Sequence, residues 1–211
     1  MCMSEDIKEQ KRQARIKRKE EAAKMVKFMN RVKDPNFSKK LYSFPRPTDP
    51  RDYSPRTLAP DLESATLLAS DIPIVHTPVP RYTAFPEPVL VDCDEPLPEG
   101  VVDLRGVWEC YDGPFKGHVE RIEQCGNRVI ISGGFSVHDM RADGTLENGV
   151  NDINEMTGKE LHVSALFEDG RLNLRLDGKT LAVSRRLEGD DLIWVYGPFT
   201  NRLRRLKELP I

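Results

Sequence analysis

No stretch of this sequence approaches the roughly 18–20 consecutive apolar residues that a membrane-spanning helix needs. No apolar segment follows Met1, so a secretory signal is not expected, and Glu5, Asp6, Glu9, Glu20 and Glu21 are foreign to an organelle-targeting peptide. The expected location is therefore cytoplasmic. Cysteine is scarce. The four residues Cys2, Cys93, Cys110 and Cys125 form no C-x-x-C pair and show no metal-ligand spacing. They read as free thiols in a reducing compartment, with no metal and no cofactor. A nucleophile elbow and a Gly-rich phosphate loop are also missing. Aromatic residues do not interleave the basic ones as base stacking would require, so nucleic acid is not an expected partner.

Charge divides the chain in three. Residues 1–40 carry 13 Lys or Arg against 6 Asp or Glu, a net of +7; residues 41–100 carry a net of −6, and residues 101–211 a net of −3. The first segment, residues 1–34, reads as a basic helix. It is free of Gly and Pro until Pro35, Ser4 can cap its start, and Ala22, Met25, Val26, Met29 and Val32 form an apolar stripe at helical spacing. Such a helix suits docking on a partner protein, self-association as a homodimer, or contact with an anionic membrane surface; a solvated arm is the plainer alternative.

Residues 35–100 hold 12 of the 16 prolines between Pro45 and Pro98. Proline removes donors and forbids regular helix or central strand, so an extended strap along the barrel or another subunit is expected, with one short helix near Pro60 to Ala69.

Residues 101–211 carry the clearest pattern. Gly126-Asn127, Asp143-Gly144, Asp169-Gly170, Asp177-Gly178 and Gly189-Asp190 are hairpin-turn signals. Between them apolar residues alternate, as Leu172, Leu174 and Leu176 do, or Leu161, Val163, Ala165 and Phe167. Eight to ten strands in about 110 residues, all joined by short turns, predict an antiparallel up-and-down meander. Closing it into a mainly β barrel hides its edges. A barrel of eight or more strands has room for a small ligand.

The opening strand reads Gly106-Val107-Trp108, and the last strand offers Arg202, Arg204 and Arg205. This Gly-x-Trp with terminal arginines resembles the calycin superfamily, the lipocalins and fatty-acid-binding proteins. The resemblance covers residues 101–211 alone. It implies a lipocalin-like barrel in which Gly106 and Trp108 close one end and an arginine, here Arg205, packs over the indole. It further implies a small hydrophobic or amphipathic ligand, with Arg202 and Arg204 facing inward to hold a carboxylate. Where the fatty-acid-binding branch has Arg-x-Tyr, this chain has Arg202-Leu203-Arg204. A lid after the first strand and the lipocalin disulfide are absent from the pattern. If Arg202 and Arg204 face outward, Arg205 is the inward residue.

Trp194, Tyr196, Phe135 and Phe167 are candidates to line the cavity, or else to pack beneath the strap. A second function class stays open, an isomerase, cyclase or hydratase on the same scaffold. His138 beside Asp139, and His118 with Glu120 on one strand face, are its acid–base candidates. A third is an assembly component docking through residues 1–100.

Overall fold

Ten antiparallel strands form where the alternation and the turn residues require them. They are β1 (Gly106–Asp112), β2 (Val119–Cys125), β3 (Arg128–Ser132), β4 (Val137–Arg141), β5 (Val150–Asn154), β6 (Lys159–Glu168), β7 (Arg171–Leu176), β8 (Thr180–Glu188), β9 (Asp191–Tyr196) and β10 (Phe199–Leu206). The computed structural model describes residues 7, 9–13, 15, 16, 19, 23, 27, 30, 46–77, 84–133, 136–154 and 159–207. The strand order is β4-β3-β2-β1-β10-β9-β8-β7-β6-β5, a meander in which β1 and β10 pair at the centre. Asp169 and Asp177 both have φ near +51°, and the glycine after each is also positive, as a twist-matched Asp-Gly hairpin demands.

The meander curls into a nearly closed barrel. Its seam lies between β4 and β5. Asp143-Gly144 was expected to be a tight hairpin there and is not. Asp143 keeps an ordinary φ, and its carboxylate accepts hydrogen bonds from Thr145 and Asn148, holding a wider loop. That loop lies against β6, with a bridge from Asp143 to Leu166 and a bond from the Gly144 N–H to the Ala165 carbonyl. Gly149 passes so close that a Cβ would sit 2.0 Å from the Val163 oxygen. The barrel thus closes at the loop end of the seam, while β4 and β5 remain unpaired above it.

The wall on the β4 side of the seam carries the strap. Residues 41–211 form one compact unit, and the proline-rich segment within it runs over the outer faces of β2, β3 and β4. Two buried arginines hold it. Arg121 on β2 bonds Asp52 (2.9 Å), Glu123 (3.0 Å) and the carbonyls of Pro86 and Glu87. Arg128 on β3 pairs with Asp139 and donates to the carbonyls of Ala69, Ile72 and Pro73. Proline-rich backbone cannot satisfy its own carbonyls in a ladder, and guanidinium forks supply the donors. Glu123 does the converse, accepting the Val89 and Leu90 N–H groups. Asp52 shares Arg121 with Glu123, and burial beside that second carboxylate pushes its carboxyl up to about 6 despite the arginine.

Two expectations for this region are corrected. No helix spans Pro60 to Ala69. Asp61 instead caps a turn at Ser64, Asp94 takes the N–H groups of Thr66 and Leu67, and a short 3-10 turn follows at Ala69–Asp71. Nor are all the cysteines free. Cys93 of the strap is joined to Cys125 at the end of β2 by a disulfide inside an apolar cluster with Ala69, Leu90, Ile130 and Val137. Spacing rules read pairs near in sequence, whereas this pair is 32 residues apart and is made by the strap's path. Disulfides persist in oxidising surroundings, so the reading of a reducing compartment loses its support. Cys110 is free and buried.

In the separate unit of residues 1–40, every described residue from Ile7 to Asn30 is helical and exposed. Among the described residues no helix is long and apolar enough to cross a membrane.

Removing one partner of a buried charge cluster leaves the other uncompensated. Arg128→Ala is therefore expected to cost about 3–5 kcal/mol in chemical denaturation, against under about 1 kcal/mol for exposed Arg204→Ala. Cys93→Ser, which opens the strap loop, should cost roughly 3–4 kcal/mol by the chain-entropy relation, read as the shift in urea midpoint.

Candidate functional site

One end of the barrel is closed. The Arg205 guanidinium lies 4.6 Å over the Trp108 ring, and the indole N–H donates to the Leu104 carbonyl at 2.8 Å. Gly106 lies under Arg205 with φ +131°, a backbone conformation that favours glycine. The other end is capped on the β1–β2 and β9–β10 side by Phe115. Its ring lies 5.0 Å from Trp194, 5.8 Å from Tyr196 and 5.6 Å from Phe199.

Between these ends the lumen holds charge. Arg185 on β8 reaches Glu120 on β2 with a two-pronged ion pair, Nε to Oε1 at 2.9 Å and Nη2 to Oε2 at 2.8 Å. The two strands are four places apart in the ring, so the pair spans the interior. Arg185 also lies 5.3 Å over the Trp194 ring, and His118 Nε2 is 3.4 Å from Glu120. Burial alone would raise the Glu120 carboxyl, but the Arg185 charge and the His118 contact outweigh it and hold it at about 2. Nη1 of Arg185 points away from this fork, because a side-on pair uses only Nε and Nη2.

His138 faces the same lumen from β4, where it pairs with Ile131. Its Nε2 is 3.1 Å from the Ser136 hydroxyl. Burial, reinforced by the Arg185 charge, pushes the imidazole down to about 4 against the pull of Asp152 and Glu120. Its Nδ1 is shielded from solvent and has no hydrogen-bond partner, and the same holds for Trp194 Nε1.

The sequence-derived candidates separate into two groups. His118, Glu120, His138 and Trp194 come together in the lumen, with Phe167 half-buried on its wall and Tyr196 at the rim. Phe135 lies outside the described residues. Asp139 does not join His138; as its neighbour on a strand it faces the other way and binds Arg128 and the Val75 N–H. Arg202 and Arg204 are not inward. Leu203 between them is fully buried, while Arg202 pairs with Glu188 and Asp191, and Arg204 with Glu109, on the outer wall. The inward cation is Arg185. Its signal was present in the alternation Leu181, Val183, Leu187, where position 185 belongs to the apolar face.

Among the described residues no group of His, Cys, Asp and Glu is placed to hold a metal. The fold defines a nearly closed, ten-stranded antiparallel barrel with a charged interior, compatible with a calycin-like architecture. Compared with protein-family models and with curated proteins, the chain matches none.

With a folded pKa of about 4 against an ordinary 6.5, His138 takes up its proton more readily in the unfolded chain. It therefore contributes stability above pH 6.5 that is lost as pH falls toward 4. Imidazole NMR shifts should show His138 neutral at pH 6, and His138→Gln should flatten the pH dependence of stability in that window.

Proposed function

We propose that this chain is a calycin-type binding protein whose lumen holds a small hydrophobic or amphipathic molecule. The molecule's polar end is directed to Arg185, His138 and Trp194. The observation that carries this reading is the pair of shielded, unpartnered polar atoms, His138 Nδ1 and Trp194 Nε1, beside Arg185. A buried polar group without a partner costs about 1–3 kcal/mol, and a ligand bearing an acceptor, such as a carboxylate or carbonyl, offsets that cost. The walls around them are apolar, supplied by Val163, Ala165, Leu172 and Leu174. Apolar walls desolvate a ligand's body and a few polar groups fix its head.

An enzymatic reading on the same scaffold is favoured by one feature, the inward His138 bonded to Ser136. With Asp139 turned to the strap, no carboxylate among the described residues hydrogen-bonds the imidazole to orient it as a base.

Native mass spectrometry of the purified chain, followed by solvent extraction, should release a bound amphipathic molecule. In titrations with anilinonaphthalene sulfonate, Arg185→Met should weaken binding by at least about tenfold, whereas Arg202→Ala and Arg204→Ala should leave it unchanged. Equal affinity in all three variants would remove the lumen as the site.

A further inference from the structure

We infer that the seam between β4 and β5 is the entrance to the lumen, and that strap residues Ile74 to Thr77 are its removable cover. The inference deepens the binding reading, on which its purpose rests, but the geometry is independent of it.

Three observations meet at the seam. First, β4 and β5 are the two ends of the strand order, and the rest of the wall is laced by ladder bonds. One end of the barrel is sealed by Leu104, Trp108 and Arg205, and the Phe115 cluster covers the β1–β2 and β9–β10 side of the other.

Second, a cavity of about 160 Å³ lies in the seam. Ile74 and His76 of the strap border it on one side, Asn148 and Asn151 on the other. Met140 also lines it. That residue is 2% exposed and shares the face of β4 that His138 occupies, whereas Arg128, Asp139 and Arg141, which also line the cavity, belong to the outer face. Ile74 is 65% exposed at the rim and offers an apolar first contact.

Third, among the described residues Thr77 bonds to both strands at the seam, where the Arg141 N–H also reaches the Asn148 carbonyl at 2.7 Å. The Thr77 hydroxyl accepts from the Val137 N–H at 3.1 Å and donates to the Val137 carbonyl at 3.4 Å, on the free edge of β4. The Thr77 N–H donates to Asp152 Oδ2 on β5 at 3.1 Å. Thr77 therefore substitutes for strand pairing where the ladder is interrupted. The two hydroxyl bonds to Val137 are neutral and of the kind that water replaces at small net cost, whereas the N–H bond to the Asp152 carboxylate and the neighbouring Val75 N–H bond to Asp139 are charge-assisted. His138, with its unpartnered Nδ1, follows Val137 on the lumen side of the same strand.

The buried thiol of Cys110 gives a readout that needs no ligand. It lies on β1, at the far side of the lumen from the seam, and is 1% exposed. In a Cys2→Ser background, native-state labelling of Cys110 by methyl methanethiosulfonate should accelerate by about tenfold or more in Thr77→Val, which keeps the shape and loses the hydroxyl. Thr77→Ser should label at the parent rate. The acceleration should persist unchanged through low urea, as for a local opening rather than global unfolding. Stopped-flow mixing with anilinonaphthalene sulfonate should show association and dissociation faster by the same factor, with affinity unaltered. Parent-rate labelling in Thr77→Val, or equal acceleration in Thr77→Ser, overturns the entrance. Loss of saturable dye binding in the parent protein, with the labelling pattern intact, would instead overturn the binding function.

Discussion

Two guanidinium groups on the outer wall of the barrel, Arg121 and Arg128, set the terms for everything around them. Each is almost fully buried, and a buried arginine is tolerable only when its donors are met. Strands β2 and β3 cannot meet them alone, because their backbone groups are used in the ladder. The strap does so with Asp52 and with five carbonyls from Ala69, Ile72, Pro73, Pro86 and Glu87. The dependence is mutual. Without the arginines the proline-rich backbone would carry unpaired acceptors into a dry interface. Without the strap the two cations, still paired to Glu123 and Asp139, would lie on a wall open to water instead of in a buried interface. The strap is in this sense part of the barrel wall.

The lumen obeys the same rule with a different outcome. Arg185 and Glu120 satisfy each other across the interior, and Trp194 covers the guanidinium face. This bridge links β2 to β8 and occupies space a purely apolar lumen would leave for a ligand. The polar atoms left over, on His138 and Trp194, sit around it rather than at a sealed end. The lumen thus presents a prearranged field, with a neutral imidazole and a donor-rich cation already oriented.

Much of the fold was legible. All ten strands were anticipated, because hairpin turns and period-two alternation are local signals. The β5 start was misplaced, since Asp143-Gly144 looks like a hairpin but spends its carboxylate on Thr145 and Asn148. The site was less legible. A polar residue on a strand can face water or a lumen, and alternation alone does not choose. Arg202 and Arg204 read as inward by family resemblance, yet Leu203 between them takes the lumen. Arg185 was hidden because it occupies an apolar register position. A sharper reading was available in Val129-Ile130-Ile131, an unbroken apolar run that marks a strand buried on both faces. Its outer cover could only be the strap, which also brings Cys93 to Cys125.

The anchoring of the strap is graded along its length, and the gradient favours motion at one place. Over β2 it is held by a covalent bond, by Glu123 on two N–H groups and by the Arg121 cluster. Over β3 and β4 it is held by Arg128 and Asp139. At the seam the described anchors are the Thr77 hydroxyl on Val137 and the Thr77 N–H on the Asp152 carboxylate. Charge-assisted buried bonds are about twice as strong as neutral ones, and a net neutral bond is worth roughly 0.5–1.5 kcal/mol. Among the described residues, opening is therefore favoured where the anchors include the neutral hydroxyl bonds of Thr77. That place is also where the ladder is interrupted and where a cavity borders Met140. A strap anchored evenly would seal the barrel permanently. One anchored as this one is remains part of the wall over β2 and β3 and behaves as a cover at β4 and β5.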